Sequence, residues 1–343
     1  MKILIDAMGG DHAPLAPVTG ALEAASKWNV PVVLVGRENE ILAAAKEAGY
    51  EALPAGVEIR HADDVVDMHD DPARVIQRKK NSSMVVGLKM LSDGEGDAFI
   101  SAGSTGALLS GATLVVKRVK GIRRAAMAPA FPNKAGGRTI ICDCGANAEC
   151  TPEFLLQFAI VGSLHARKSL GIQNPRVGLL NIGTEDSKGT ALQLATYPML
   201  ADAHEKGLIN FIGNVEARQV PLGEVDVVVC DGFSGNVLLK SIEGTAMFLG
   251  STISAMFQKS IVSKLAAALV MKDIKAFKKL LDYREIGGTQ FVGIKKPVIK
   301  AHGSSDARAF YNAVRQAVDA ANNNTAEELE IALKQISTAK EKA

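Results

Sequence analysis

The stretch D226-VVVCDGFSGNVLL-K240 decides the fold. A run of β-branched residues, Val227 to Val229, stops at Asp231-Gly-Phe-Ser-Gly-Asn236, and apolar residues then resume at helical spacing. Such a handover is a strand passing through a tight loop into a helix. Part of it, Gly232-Phe-Ser-Gly-Asn236, comes within one residue of the G-x-S-x-G nucleophile elbow.

The same junction recurs along the chain. It appears at KILIDAMGGDHAP (2–14), DAFISAGSTGALL (97–109), RTIICDCGANAEC (138–150) and VGLLNIGTEDSKGTAL (177–192), and more weakly at PVIKAHGSSDARAF (297–310). Further strands are expected at 31–36 and 208–214, with helices at 20–28, 39–48, 152–167 and 190–206. Strands of continuous Val, Ile and Leu suit a parallel sheet covered on both faces. Strands alternating with helices imply βαβ crossovers and a three-layer α/β/α sheet, mostly parallel. We expect a single α/β domain over residues 1–343, bearing a helical protrusion at 242–285.

In open sheets of this kind, ligands sit beyond the carboxyl ends of the strands. The six loops lie there, and each opens a helix whose first N–H groups carry partial positive charge. An anion is favoured at such a place. Gly, Asp, Asn and Ser are also what capping requires, so one loop alone says little; the series says more. Lys188, just ahead of a helix, opposes the helix dipole unless it holds an anion there. Ser187 and Thr184 are plausible caps.

No G-x-G-x-x-G fingerprint or Walker A motif is present, so no nucleotide cofactor is expected. The cysteines at 142, 144, 150 and 230 lack zinc-site spacing and read as reduced thiols, with no metal. A net charge of +2, with four Tyr and one Trp, argues against nucleic-acid binding. The apolar run before Asp6 is too short for a signal peptide, and nothing approaches the ~20 apolar residues needed to span a bilayer. A cytoplasmic protein is expected.

From Ile242 to Leu281, apolar residues recur at helical spacing (Phe248, Leu249, Ile253, Met256, Phe257, then Leu265, Leu269, Leu280, Leu281). Lysines stand between them at 259, 264, 272, 275, 278 and 279. Such helices suit a subunit contact, a membrane surface or both, and their Met and Phe suit an acyl chain. Thr325 and Glu328 form a capping-box pattern ahead of a last helix with Leu329, Leu333 and Ile336 on its apolar stripe.

The stretches DAMGGDHAP, SAGSTGA, DCGANAE, LLNIGTEDSKG, FIGNVE, DVVVCDGFSGNVLLK and AHGSS, in this order, resemble the motifs of the bacterial PlsX phosphate acyltransferase family from Met1 to about Ala320. The resemblance implies an enzyme that moves a fatty acyl group from acyl carrier protein to inorganic phosphate. Its product, acyl phosphate, feeds phospholipid synthesis through a downstream acyltransferase that uses it. It also implies a homodimer, peripheral association with the membrane and a fold related to phosphotransacetylases and isocitrate-dehydrogenase-type enzymes. The chain departs from the family at Ser104, where Asn is usual, at the missing proline after Arg124, and in the less leucine-rich TQFVGI after Gly288.

Phosphate attack on a thioester needs positioning and oxyanion stabilisation more than a strong acid, because a thiol of pKa about 8.5 leaves readily. We therefore expect Lys188 to hold phosphate or the oxyanion and Asn236 to donate to the carbonyl oxygen. Ser104, Asn147, Ser234, Gly232 and Gly235 would complete the donor set, with His302 a possible proton carrier. Asp6, Asp11, Asp143 and Asp231 would orient loops. The rival reading is an α/β-hydrolase with Ser234, Asp282 and His302 in Ser…Asp…His order. A third is a non-catalytic membrane-surface adaptor built on 242–281.

Overall fold

The computed structural model describes residues 1–274, 277, 282–323 and 325–340. The chain begins with β1 (Ile3–Asp6), α1 (Leu15–Trp28), β2 (Val32–Gly36), α2 (Glu38–Glu47) and β3 (Val57–His61). It continues with α3 (Val75–Arg78), α4 (Ser83–Asp93), β4 (Ala98–Ser101) and α5 (Thr105–Gly111), which runs on as a π-helical segment, Ala112–Val116. Then come β5 (Ala126–Met127), β6 (Ala130–Pro132), β7 (Arg138–Cys142), α6 (Pro152–Ser169), β8 (Arg176–Asn181) and α7 (Ala191–Glu205). After these follow β9 (Asn210–Glu216), α8 (Gln219–Leu222), β10 (Val227–Val229), α9 (Gly232–Gln258) and α10 (Ile261–Leu269). The chain returns through β11 (Gly288–Val292) and β12 (Val298–Ala301) to α11 (Ala307–Asn322) and α12 (Ala326–Lys340).

The strands divide between two sheets, of order β3-β2-β1-β4-β12-β11-β5 and β6-β7-β10-β8-β9. All pairings are parallel except those of β11 with its two neighbours and of β6 with β7. In the first sheet the chain moves outward from β1 to β3, then crosses to β4 on the other side of β1. That reversal is a topological switch point, and it opens a crevice beyond the ends of β1 and β4. Both sheets are covered by helices, as the apolar strands require. In the first, α1, α2 and α11 bury one face and α4 and α5 the other. In the second, α6, α7 and α12 bury one face, while the start of α9 reaches the other through Leu238.

Two contacts show how closely the layers approach. A Cβ on Gly20 of α1 would lie 2.6 Å from Phe310 Cβ and 2.9 Å from Tyr311 N, so α1 and α11 touch backbone to backbone. One on Gly87 of α4 would lie 2.9 Å from Phe99 Cδ2, a fully buried ring on β4.

Within 242–285, the described residues include the outer part of α9 and α10. Met247, Phe248, Leu265 and Leu269 are 76%, 65%, 65% and 89% exposed, so these helices carry an uncovered apolar surface. Lys275, Lys278, Lys279, Leu280 and Leu281 lie outside the described residues. No helix among the described residues is long and apolar enough to cross a membrane. In α12, Leu329 and Leu333 are buried, and Glu328 pairs with Lys168 of α6.

His165 lies within α6, and burial pushes its imidazole down to about 4 from an ordinary value of 6.5. The stability this protects is complete above pH 6.5 and is lost as pH falls toward 4, because the unfolded chain takes up a proton that the folded chain refuses. Urea titrations at stepped pH should show the wild type losing about 3 kcal/mol more than His165→Gln across that window. Gly20→Ala should cost about 1–3 kcal/mol through overpacking of α1 on α11, read as a lower denaturation midpoint at unchanged m-value.

Candidate active site

Each sheet gathers its loops around one buried carboxylate. In the first sheet this is Asp6, 1% exposed, at the end of β1. Its Oδ2 accepts Ser101 Oγ at 2.6 Å and its Oδ1 accepts Met8 N at 3.2 Å. Ser101 Oγ in turn accepts Gly103 N at 3.1 Å, so the β1 and β4 loops are tied across the switch point. Asp11 N donates to Gly303 O at 2.8 Å and brings in the β12 loop. Burial pushes the Asp6 carboxyl above the usual range, and these donors oppose the shift.

The second sheet does the same with Asp143, 0% exposed, one residue beyond β7. Its Oδ1 accepts Met127 N at 2.8 Å and Cys144 N at 2.7 Å, and its Oδ2 accepts Asn147 N at 2.6 Å and Asn147 Nδ2 at 3.0 Å. Asn147 Nδ2 also donates to Ala125 O at 2.8 Å. Asn147 O accepts Gly232 N at 2.7 Å, which fixes where α9 begins. Asp231 caps that helix, taking Ser234 N and Ser234 Oγ, each at 2.8 Å. Of the four acids expected to orient loops, Asp6, Asp143 and Asp231 accept backbone N–H groups through their carboxylates, and Asp11 is tied to the β12 loop through its own N–H.

The two glycines of the quoted loop have a packing reason. A Cβ on Gly235 would strike the carbonyl oxygen of Asp143 and come 2.9 Å from Cys230 Sγ. One on Gly232 would lie 2.7 Å from Asp143 Oδ2. These positions let the β7 and β10 loops nest together. The N–H groups of Gly232 and Ser234 are consumed within the nest, as are the amide protons of Asn147. Beside Gly145, Asn236 remains exposed, and its side chain makes no hydrogen bond among the described residues.

Lys188 is likewise exposed, on the β8 loop. Asn181 and Asn214 hold that loop: Asn181 Nδ2 donates to Lys188 O at 3.0 Å, and Asn214 Nδ2 to Glu185 O at 2.7 Å. Neither asparagine was among the expected site residues, although Asn214 lies within the quoted FIGNVE. The cap of α7 is Thr190 with Gln193 in a capping box, rather than Ser187 or Thr184. Ser104 occupies the N-cap position of α5, buried, with no capping hydrogen bond from its side chain.

Lys300, too, was not among the expected site residues. It lies on β12, 9% exposed, and its Nζ donates to Ala102 O at 3.2 Å and to Ala301 O. Burial lowers its ammonium to about 8, and Asp11 and Asp6 pull the other way. The signal was a lysine inside the apolar strand VIKA, whose charge needs carboxylates nearby. His302 follows, with Nδ1 2.8 Å from Ser304 Oγ. Partial burial and the cations Lys240 and Lys300 push its imidazole below the ordinary value. Lys240 belongs to α9, so the loops of the two sheets face one another here.

The hydrolase reading fails on these contacts. Ser234 gives its proton to Asp231, Asp282 is gripped by Arg284 at 2.6–3.0 Å, and His302 is linked to Ser304. No relay joins the three among the described residues. Nor is a thiolate at hand: burial pushes the Cys144 and Cys150 thiols up to about 12 and holds those of Cys142 and Cys230 well above the ordinary thiol value.

The sequence profile of a family described as fatty acid synthesis protein matches residues 1–328. The phosphate acyltransferase of Alkaliphilus oremlandii is 46% identical over 329 residues, covering 96% of each chain. That of Thermoanaerobacterium thermosaccharolyticum is 45% identical over 317 residues, covering 92% of each. That of Bacillus cereus is 47% identical over 317 residues, covering 92% of this chain and 93% of the relative. Among solved structures, EutD phosphotransacetylase from Staphylococcus aureus shares the fold, with a TM-score of 0.59 at 18% identity over 94% of each chain. A branched-chain phosphotransacylase from Enterococcus faecalis V583 does so with a TM-score of 0.56 at 16% identity, over 93% of this chain and 99% of that one.

Asn147 and Asn236 should separate cleanly on mutation. Asn147→Ala strips a donor from a buried carboxylate and should cost about 1–3 kcal/mol of stability, measured by denaturant titration. Asn236→Ala removes an exposed side chain and should stay within about 0.5 kcal/mol of wild type.

Proposed function

We propose a specific reaction for this chain, which belongs to the fatty acid synthesis protein family and, within it, to the phosphate acyltransferases. The reaction is transfer of a fatty acyl group from the thioester of acyl carrier protein to inorganic phosphate. One observation carries the reading. Polar groups with hydrogen-bonding capacity to spare, Lys188, Asn236 and Ser104, stand at the carboxyl ends of parallel strands, while every candidate covalent nucleophile is engaged or buried. A site of that kind suits direct attack by a bound oxyanion.

In this mechanism Lys188 holds the phosphate dianion and the Asn236 amide donates to the thioester carbonyl. A phosphate oxygen attacks the carbonyl carbon and forms a C–O bond, and the tetrahedral oxyanion draws on the same donors. The C–S bond then breaks, acyl phosphate forms, and the thiolate leaves to take a proton from solvent. Ser104 supplies a hydroxyl from the facing loop. Gly232, Ser234, Gly235 and Asn147 shape the nest in which Asn236 sits, and His302, near Lys240, passes the proton from solvent to the departing thiolate. No cofactor or metal enters the scheme.

The uncovered apolar surface of α9 and α10 supports two further parts of the proposal, a homodimer and peripheral membrane contact by a cytoplasmic enzyme. An acyl phosphate is a reactive mixed anhydride, which suits prompt hand-over to a downstream acyltransferase in phospholipid synthesis.

Incubation with acyl carrier protein thioester and phosphate should yield acyl phosphate, identified by mass, and no product beyond background without phosphate. Asn236→Ala and Lys188→Ala should each lower the rate by ~100- to 1000-fold. Cleavage indifferent to phosphate, or near-normal rates in both variants, would remove the assignment.

A further inference from the structure

From Asp97 to Asp143 the chain carries no acidic residue in between. Within that run, residues 117–124 read KRVKGIRR, five cations in eight positions. The reaction above makes no use of them. Val119 and Ile122 are 2% and 5% exposed, and anchoring these two leaves Lys117, Lys120, Arg123 and Arg124 on the surface. The segment is a firm platform rather than a loose loop. Val119 N donates to Gly293 O at 3.0 Å and Lys295 N to Lys117 O at 3.0 Å. Gln157 clamps it from α6, accepting Arg123 N and donating to Gly121 O, each at 2.9 Å. Lys295, also exposed, adds to its charge.

The platform forms one lip of an open cleft of about 320 Å³, lined among others by Leu109, Thr113, Leu114, Arg118, Arg124 and Asn147. Asn147 belongs to the loop that Asp143 organises, and its amide is held by Ala125 O, one residue beyond Arg124. The cleft therefore runs from a basic surface to the candidate active site. Near Ala73, which also lines the cleft, Asp71 is paired with Arg74 at 3.6 Å and Asp70 with Lys79 at 2.6 Å.

We propose that residues 117–124 are the docking surface for an acidic carrier protein, and that the adjoining cleft receives the phosphate-bearing arm on which such a protein presents its thioester. This rests on the donor assigned above and adds where that donor binds. Arg118 and Arg124 meet the arm's phosphate, for which a guanidinium is well suited. Leu109 and Leu114 face its methylenes, and Thr113 its amides. A donor without a protein needs the cleft alone. Cations outside the cleft become useful when the donor brings an extended acidic surface, which they attract and orient. An anionic membrane also attracts lysine and arginine, but it has no need of a cleft leading to the reacting centre.

The test uses the full chain and two donors, acyl carrier protein and acyl-pantetheine, which lacks both protein and phosphate. Lys120→Glu with Arg123→Glu should raise KM for the carrier-protein donor about tenfold or more and flatten its salt dependence, leaving kcat and acyl-pantetheine turnover unchanged. Retained turnover of the small donor also shows that the variant folds. Thr113→Trp, which fills the cleft, should slow both donors. A KM for the carrier protein within twofold of wild type overturns the docking surface. So does loss of binding to phosphatidylglycerol vesicles with that KM unchanged, which would make the platform a membrane contact. Unimpeded turnover of both donors by Thr113→Trp overturns the cleft. Should the wild type use acyl-pantetheine but not the carrier-protein donor, the donor assignment itself falls and this inference falls with it.

Discussion

A carboxylate stripped of water is expensive unless hydrogen bonds replace that water, and Asp143 is wholly buried. It is satisfied by the backbone of Met127, Cys144 and Asn147 and by the Asn147 side chain, groups drawn from β5 and from the loop after β7. Those bonds hold the β7 loop in one shape, and the shape propagates. Asn147 O receives the first N–H of α9, and Gly235 lies against the Asp143 carbonyl. The position of Asn236 follows from that nesting. Asp6 plays the matching part in the other sheet, through Ser101 and Gly103.

The chemistry depends on which polar groups are left over once these ties are made. A donor already spent on a neighbouring carbonyl or carboxylate contributes geometry, as those of Ser234 and Asn147 do, whereas the exposed side chains of Lys188 and Asn236 keep theirs, which is why the proposed reaction is built on them. Lys300 stands between the two: it is a buried cation spent on carbonyls of the β4 and β12 loops, yet its charge faces Asp6 and Asp11 and lowers the His302 pKa.

Much of this is legible in the amino-acid sequence. The six strand-to-helix junctions were visible because continuous apolar runs and Gly-Asx loops are local signals, and all six strands form where they were expected. Asp231 was expected to orient its loop, and it is the N-cap of α9. Other readings needed contacts between distant segments. Gly232 and Gly235 looked like room for an anion, and they are room for the β7 loop. Asn181, Asn214 and Lys300 went unnoticed because their partners lie on other strands or loops. The Ser234, Asp282 and His302 order suggested a relay, but order along a chain does not specify distance.

The amino-acid sequence by itself determined the α/β class, the parallel strands and the loops that carry the site, because hydrophobic period and turn chemistry act over a few residues. Only the tertiary structure decided that the strands part into two sheets, which glycines serve packing, and which side chains keep their donors free. Those outcomes turn on satisfying buried carboxylates with groups far apart in the chain. The loop at Asp226–Lys240 shows both halves: its strand and helix are written in its own residues, and the exposure of Asn236 is written by Asp143.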